Sequence, residues 1–134
     1  VGIKVQTLLT PVMSLLLKWC PSYQARWDHY IHNSYVPGEV HLLYIDLADF
    51  SNHIVVLYKQ NQTNEFPAVF NVIELLHTNG DDAVREAATI GLLEDMQNKL
   101  LDNEMDMEAF KQFLKNDSLK WWNHLNEFWD GNIN

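Results

Sequence analysis

Residues 66–101 read FPAVFNVIELLHTNGDDAVREAATIGLLEDMQNKLL, and the fold turns on this stretch. Pro67 suits the first turn of a helix, where its missing N–H costs nothing. Phe66, Val69, Phe70, Ile73, Leu76 and His77 recur at helical spacing and make one apolar face that ends in a histidine. Gly80 is expected to stop this helix by taking the left-handed conformation after its last turn. Asp81 or Asp82 then caps a second helix, its carboxylate accepting a backbone N–H. Val84, Ala87, Ala88, Ile90, Gly91, Leu92 and Leu93 follow. They are apolar almost all round, so the second helix is expected to be central. Two helices joined by so short a turn lie antiparallel and pack on each other.

Upstream, residues 5–19 read as a first helix with Leu8, Leu9, Val12, Leu15, Leu16 and Trp19 on its apolar side. Pro11 suggests that the helix proper starts there, with Thr10 as its cap. Cys20-Pro21 ends it, because a residue before proline is pushed out of the helical region. Ser22 is placed to cap a second helix that runs to about Asn33 and buries Tyr23, Trp27, Tyr30 and Ile31. Residues 33–38 are a loop by composition. A third helix is expected over Glu39 to Lys59, where Leu43, Leu47, Phe50, Ile54 and Leu57 make a stripe at helical spacing.

Downstream, residues 102–106 break the pattern, and Ala109, Phe110, Phe113 and Leu114 resume it. Ser118 is placed to cap a last helix carrying Trp121, Trp122, Leu125, Phe128 and Trp129, with Gly131 after its end. Such rings remove roughly 150–250 Å² each from water, so the stripe reads as core rather than as a ligand platform. The expected fold is all-α: a single domain, a compact bundle of about six or seven helices in stacked antiparallel pairs.

The net charge of −9 is uneven: residues 81–134 hold twelve acids and five bases. An acidic surface repels nucleic-acid phosphate and anionic headgroups and favours cationic protein partners. The uncharged run from Val5 to Leu17 is too short to span a bilayer and lacks the flanks of a secretory signal. The only cysteine, Cys20, excludes an intrachain disulfide and a cysteine-built zinc site, and a reducing, cytoplasmic setting follows as the expectation.

Asp46, Asp49 and His53 fall within about 60° of one another on a helix turning 100° per residue. Such a set could hold a divalent metal or make an acid–base pair. One helix alone does not complete a site, so a solvated face is expected. His29 and His32, three residues apart, read as surface groups, and His77 and His124 as hydrogen-bonded structural histidines. Cys20 lacks a recognisable base and reads as a small buried thiol. Glu94, Asp95, Asp102, Glu104, Asp106 and Glu108 concentrate the negative charge. They are the candidate contacts for a partner, because carboxylate clusters steer basic proteins into contact.

The segments CPS at residues 20–22, Trp27, FPAVFNVIELL, GDDAVREAATIGLLEDMQN and SLKWWNHLNEFW resemble a family of small bacterial proteins described as a domain of unknown function. The resemblance implies relatives that lie beside polymorphic toxin genes. The resemblance runs from about Trp19 to Gly131 and carries no catalytic residue. It implies an all-helical cytoplasmic immunity protein that binds a cognate toxin domain and needs no cofactor. A metal-dependent enzyme built on Asp46, Asp49 and His53, or a general interaction module, are the alternatives.

Overall fold

The computed structural model describes residues 2–129, with side chains over 11–127. Among the described residues there are seven α-helices and no strand: α1 (Gly2–Trp19), α2 (Tyr23–Ser34), α3 (Leu43–Lys59), α4 (Phe66–Asn79), α5 (Asp82–Glu86), α6 (Asp95–Asp102) and α7 (Asn116–Trp129). A π-helical segment, Ala87–Glu94, joins α5 to α6, and a 3₁₀ segment, Met107–Gln112, precedes α7. The side chains of Leu8, Leu9, Phe128 and Trp129, and Gly131 itself, lie outside the described residues.

The helical run from Asp82 to Asp102 is central: it pairs with α4 through the short turn and packs more extensively on α3. α4 packs on α1, on α7 and on the π segment; α3 packs on the π segment and on α6. Phe66, Val69, Phe70, Val72, Ile73 and Leu76 are buried from α4. They share one core with Ala87, Ala88, Leu92, Leu93, Met96 and Leu100, all buried from the second member of the pair. Phe66, Phe70, Phe110 and Phe113 form an aromatic nest with mostly edge-on rings at 4.9–6.0 Å, and Trp122 stacks on Phe110 at 6.0 Å.

The junction between the two partners departs from expectation. Gly80 ends α4 with φ −74° and ψ 156°, which is ordinary extended backbone and not the left-handed region. Glycine is required there by space. An added Cβ would lie 2.4 Å from the Leu76 carbonyl oxygen and 2.5 Å from a Val84 methyl. Gly80→Ala should therefore cost about 2 kcal/mol in urea unfolding; an unchanged midpoint would show that the turn has slack. Asp81, not Asp82, is the cap, accepting the Val84 N–H at 2.9 Å.

The π segment was not foreseen. Its wider turn shifts the following residues around the axis. At its centre Gly91 sits close to α3: a Cβ there would lie 2.7 Å from Leu47 Cδ1. The buried Ser51 hydroxyl on α3 donates to the Leu92 carbonyl at 3.4 Å. On the α4 side, buried His77 receives Thr89. Its Nδ1–H donates to the Ile73 carbonyl at 2.8 Å, so Nε2 accepts from the Thr89 hydroxyl at 3.0 Å. Burial holds the His77 pKa below its ordinary value, which suits this neutral tautomer.

Three helix starts also differ. α1 runs through Pro11 rather than beginning at it, at the loss of one intrahelical hydrogen bond. α3 begins at Leu43, not Glu39. Residues 36–39 are taken by a turn in which Gly38 has φ +86° and the Glu39 N–H bonds the Val36 carbonyl. Pro37 and Gly38 at its two central positions are the residues such a turn selects. α7 begins at Asn116, and Ser118 is buried inside its first turn. Residues 107–112, expected to resume an α-helix, form a 3₁₀ segment capped by the Asp106 carboxylate through the Glu108 N–H.

Carboxylates projecting from near α4 serve two neighbouring helices. Glu65, at its start, accepts the Ser22 N–H at 3.1 Å and the Ser22 hydroxyl at 2.5 Å, closing the head of α2. Glu74, further along, accepts the Asp117 and Ser118 N–H groups at 3.0 Å each and the Ser118 hydroxyl at 2.9 Å, closing the head of α7. Unpaired N–H groups and the positive helix end both favour a carboxylate there. Ser22 and Ser118 thus do not cap with their own side chains in the simple way their positions suggested.

Candidate functional site

Asp46, Asp49 and His53 do share one face of α3, but that face is not solvated. It is packed against α2, leaving Asp46 1% and His53 8% exposed. Tyr30 and Tyr35 both donate to Asp46 Oδ1 at 2.7 Å. Tyr23 donates to Asp49 at 2.7 Å, and Arg26 pairs with it at 3.0 Å. His53 Nε2 meets Ser22 Oγ at 3.0 Å. Along α2 the partners descend, Tyr30, Tyr23, Ser22, while along α3 they ascend, Asp46, Asp49, His53. The two helices therefore run in opposite senses, zipped by a polar layer. Burial first, then the neighbouring carboxylate, raises the Tyr23 and Tyr30 pKa values, so both remain phenols that donate.

The end of this layer resembles a nucleophilic dyad in its atoms but not in its protons. Ser22 has one proton, and the Glu65 carboxylate takes it. His53 must then donate its Nε2–H to the serine oxygen. A serine nucleophile needs the opposite order, with its own proton passing to the histidine. Cys20 Sγ also donates to Glu65, at 3.3 Å. Burial and then the Glu65 carboxylate push the thiol up to about 12, which keeps it protonated and unreactive. Among the described residues no group of three or more His, Cys, Asp or Glu side chains is placed to hold a metal ion.

The six acids proposed as contacts divide. Glu94 and Asp95 sit at the junction of the π segment and α6, half-buried, and burial raises the Asp95 pKa. Asp102, Glu104, Asp106 and Glu108 are exposed two turns further on. Asp106 and Glu108 line a shallow groove of about 300 Å³ together with Leu101, Met105, Met107 and Asn126. Leu101 is 48% exposed there. The apolar floor escaped sequence reasoning because Met105 fell in the break between helices and Met107 at the start of the next helical run, each between acids. Their alternation with Glu104, Asp106 and Glu108 was the available signal.

A second groove, of about 550 Å³, lies at the C-terminal end of α2 and the turn that follows. Trp27, Ile31, Tyr35, Pro37 and His41 form its walls, with Asp28 and His32 at its edge. His29 bonds Asn33 on the exposed side of α2 and does not join His32 in a chelate. His124, expected to be hydrogen-bonded and structural, is exposed and lies edge-on to Trp121 at 5.5 Å. Of the aromatic stripe on α7, Trp122 is in the core and Trp121 is 39% exposed.

The whole is an all-α fold in which Asp46, Asp49, His53, Glu65 and Glu74 tie helices together. The chain belongs to the family described as Domain of unknown function (DUF7674), whose model matches residues 13–130. No curated protein matches it, and no solved structure does. No helix among the described residues is long and apolar enough to cross a membrane.

Proposed function

We propose that the protein is a bacterial immunity protein that binds a cognate toxin domain in the cytoplasm and blocks its active site or substrate path. The observation that carries this reading is the groove of Leu101, Met105 and Met107 with Asp106 and Glu108 on its walls and Asp102 and Glu104 beside it. An exposed leucine beside two half-buried methionines, ringed by acids, suits a basic protein surface: the apolar floor supplies contact area and the charges supply speed and selectivity. Methionine adapts its shape to what it meets. The groups considered for chemistry, Asp46, Asp49 and His53, are each held by hydroxyls of α2 or its flanks. That engagement supports a binding role over catalysis by a metal-dependent enzyme. A general interaction module shares the surface but not the partner.

Co-expression tests the proposal. Cells making the variable C-terminal domain of a large secreted protein encoded next to this chain should survive when it is present. Asp106→Asn with Glu108→Gln should weaken protection, and binding should fall as salt rises through the screening range. Death of cells that contain both folded proteins would end the immunity reading.

A further inference from the structure

We infer that the groove at the C-terminal end of α2 is a guanidinium site, filled by an arginine side chain of a protein partner. The buried Asp46 lies behind two of its lining residues, Tyr35, which bonds that carboxylate, and His41. Oδ1 of that carboxylate takes two phenol protons, but Oδ2 is buried without a hydrogen-bond partner among the described residues. A buried carboxylate oxygen left without a donor is costly, and a donor that reaches it gains accordingly. His41 Nδ1 stands 3.9 Å away, too far for a hydrogen bond.

The position of His41 defines the ligand. Its ring is stacked on Tyr35, centroids 4.3 Å apart and planes 21° apart, and lies edge-on to Trp27 at 6.1 Å. A flat nitrogen-bearing ring thus fills the space between two aromatic walls and an acid without closing the bond to it. A guanidinium is flat, stacks on aromatic faces, and carries donors in a fork that matches a carboxylate. It is also less strongly hydrated than an ammonium, so lysine suits the place less well. Within the chain Arg26 is committed to Asp49. His41 follows the Gly38 turn on a half-exposed stretch outside any helix, so it can swing aside as the arginine enters. Asp28 at the rim and the net charge of −9 draw a cation inward. The source of the arginine rests on the partner reading above; the site itself does not.

The test uses N-acetyl-arginine methylamide and its uncharged citrulline counterpart, titrated into the full chain while NMR follows the Trp27 indole N–H. The arginine probe should give a saturable shift at least about tenfold tighter than citrulline, the effect of one charge-assisted hydrogen bond. His41→Ala should tighten it by removing the competing ring. Asp46→Asn should weaken it about tenfold, with the spectrum confirming a folded chain. Equal behaviour of the two probes, or His41→Ala binding no better than the native chain, overturns the site. Arginine-probe binding by a chain that fails to protect cells in the co-expression test upholds the site and removes immunity. A toxin complex indifferent to both His41→Ala and Asp46→Asn upholds immunity and removes the site.

Discussion

Trp122→Ala should cost about 3–5 kcal/mol, a large share of the roughly 5–15 kcal/mol that stabilises a domain. Trp122 is fully buried and stacks on Phe110, which itself closes the Phe66 and Phe70 nest. Removing the indole leaves a void where α7 meets α4, and the surrounding rings cannot collapse into it without leaving their edge-on contacts. Trp122→Phe should cost much less than its loss of volume suggests. The indole Nε1 is buried with no hydrogen-bond partner among the described residues, so phenylalanine also removes an unpaired donor. Urea titrations followed by circular dichroism would measure both. Equal losses for alanine and phenylalanine would show that the N–H is satisfied.

Glu74→Ala should cost about 3 kcal/mol at neutral pH, since hydrogen bonds to a charged acceptor are worth about 1.5–3 kcal/mol and several are lost together. Asp117 N–H, Ser118 N–H and the Ser118 hydroxyl all lose the same acceptor, and α7 loses a negative charge at its positive end. Burial pushes the Glu74 carboxyl up, but the bonds from Ser118 and Asp117 outweigh it and hold the pKa below its ordinary 4.5. The sign follows. A carboxyl depressed in the folded state contributes stability above its unfolded pKa and loses it as pH falls through the folded value. The gap between native protein and Glu74→Ala should therefore be widest at neutral pH and shrink below about 4.5. Glu65, depressed through Ser22 and Cys20 against the same opposing effect of burial, should show the same trend at the head of α2. A gap constant with pH would mean that Glu74 contributes packing and not charge.

The α4 pair was legible because its information is local. Phe66 to His77 repeat at helical spacing, Pro67 marks the start, and an aspartate stands where a cap is needed. Ala87, Ala88, Leu92 and Leu93 were likewise placed in the core by their density. What escaped depends on approach between distant residues. Gly80 satisfies any rule for a helix stop, yet the reason for glycine is the carbonyl and valine it nearly touches. The π segment leaves no mark on periodicity, because a run apolar all round has no face to shift. Gly91 against Leu47 is its nearest sign. The carboxylates of Asp46 and Asp49 were visible as one face, but one face does not say what covers it. Tyr23, Arg26 and Tyr30, spaced three and four apart on the preceding helix, were the complementary stripe. They went unmatched because tyrosines were counted as core and not as donors. The charge of residues 102–108 was plain, whereas the groove it borders needed Leu101 to emerge beside Met105 and Met107.

On the proposed reading, this acidic helical surface holds a basic protein. Calorimetric titration of the full chain with the variable C-terminal domain of any large secreted protein encoded beside it measures that directly, at low and at moderate salt. A one-to-one complex of nanomolar affinity or tighter, weakened by salt and by Asp106→Asn with Glu108→Gln, is the predicted result. Two folded proteins that release no heat, form no complex in sedimentation and leave the toxin active would contradict it.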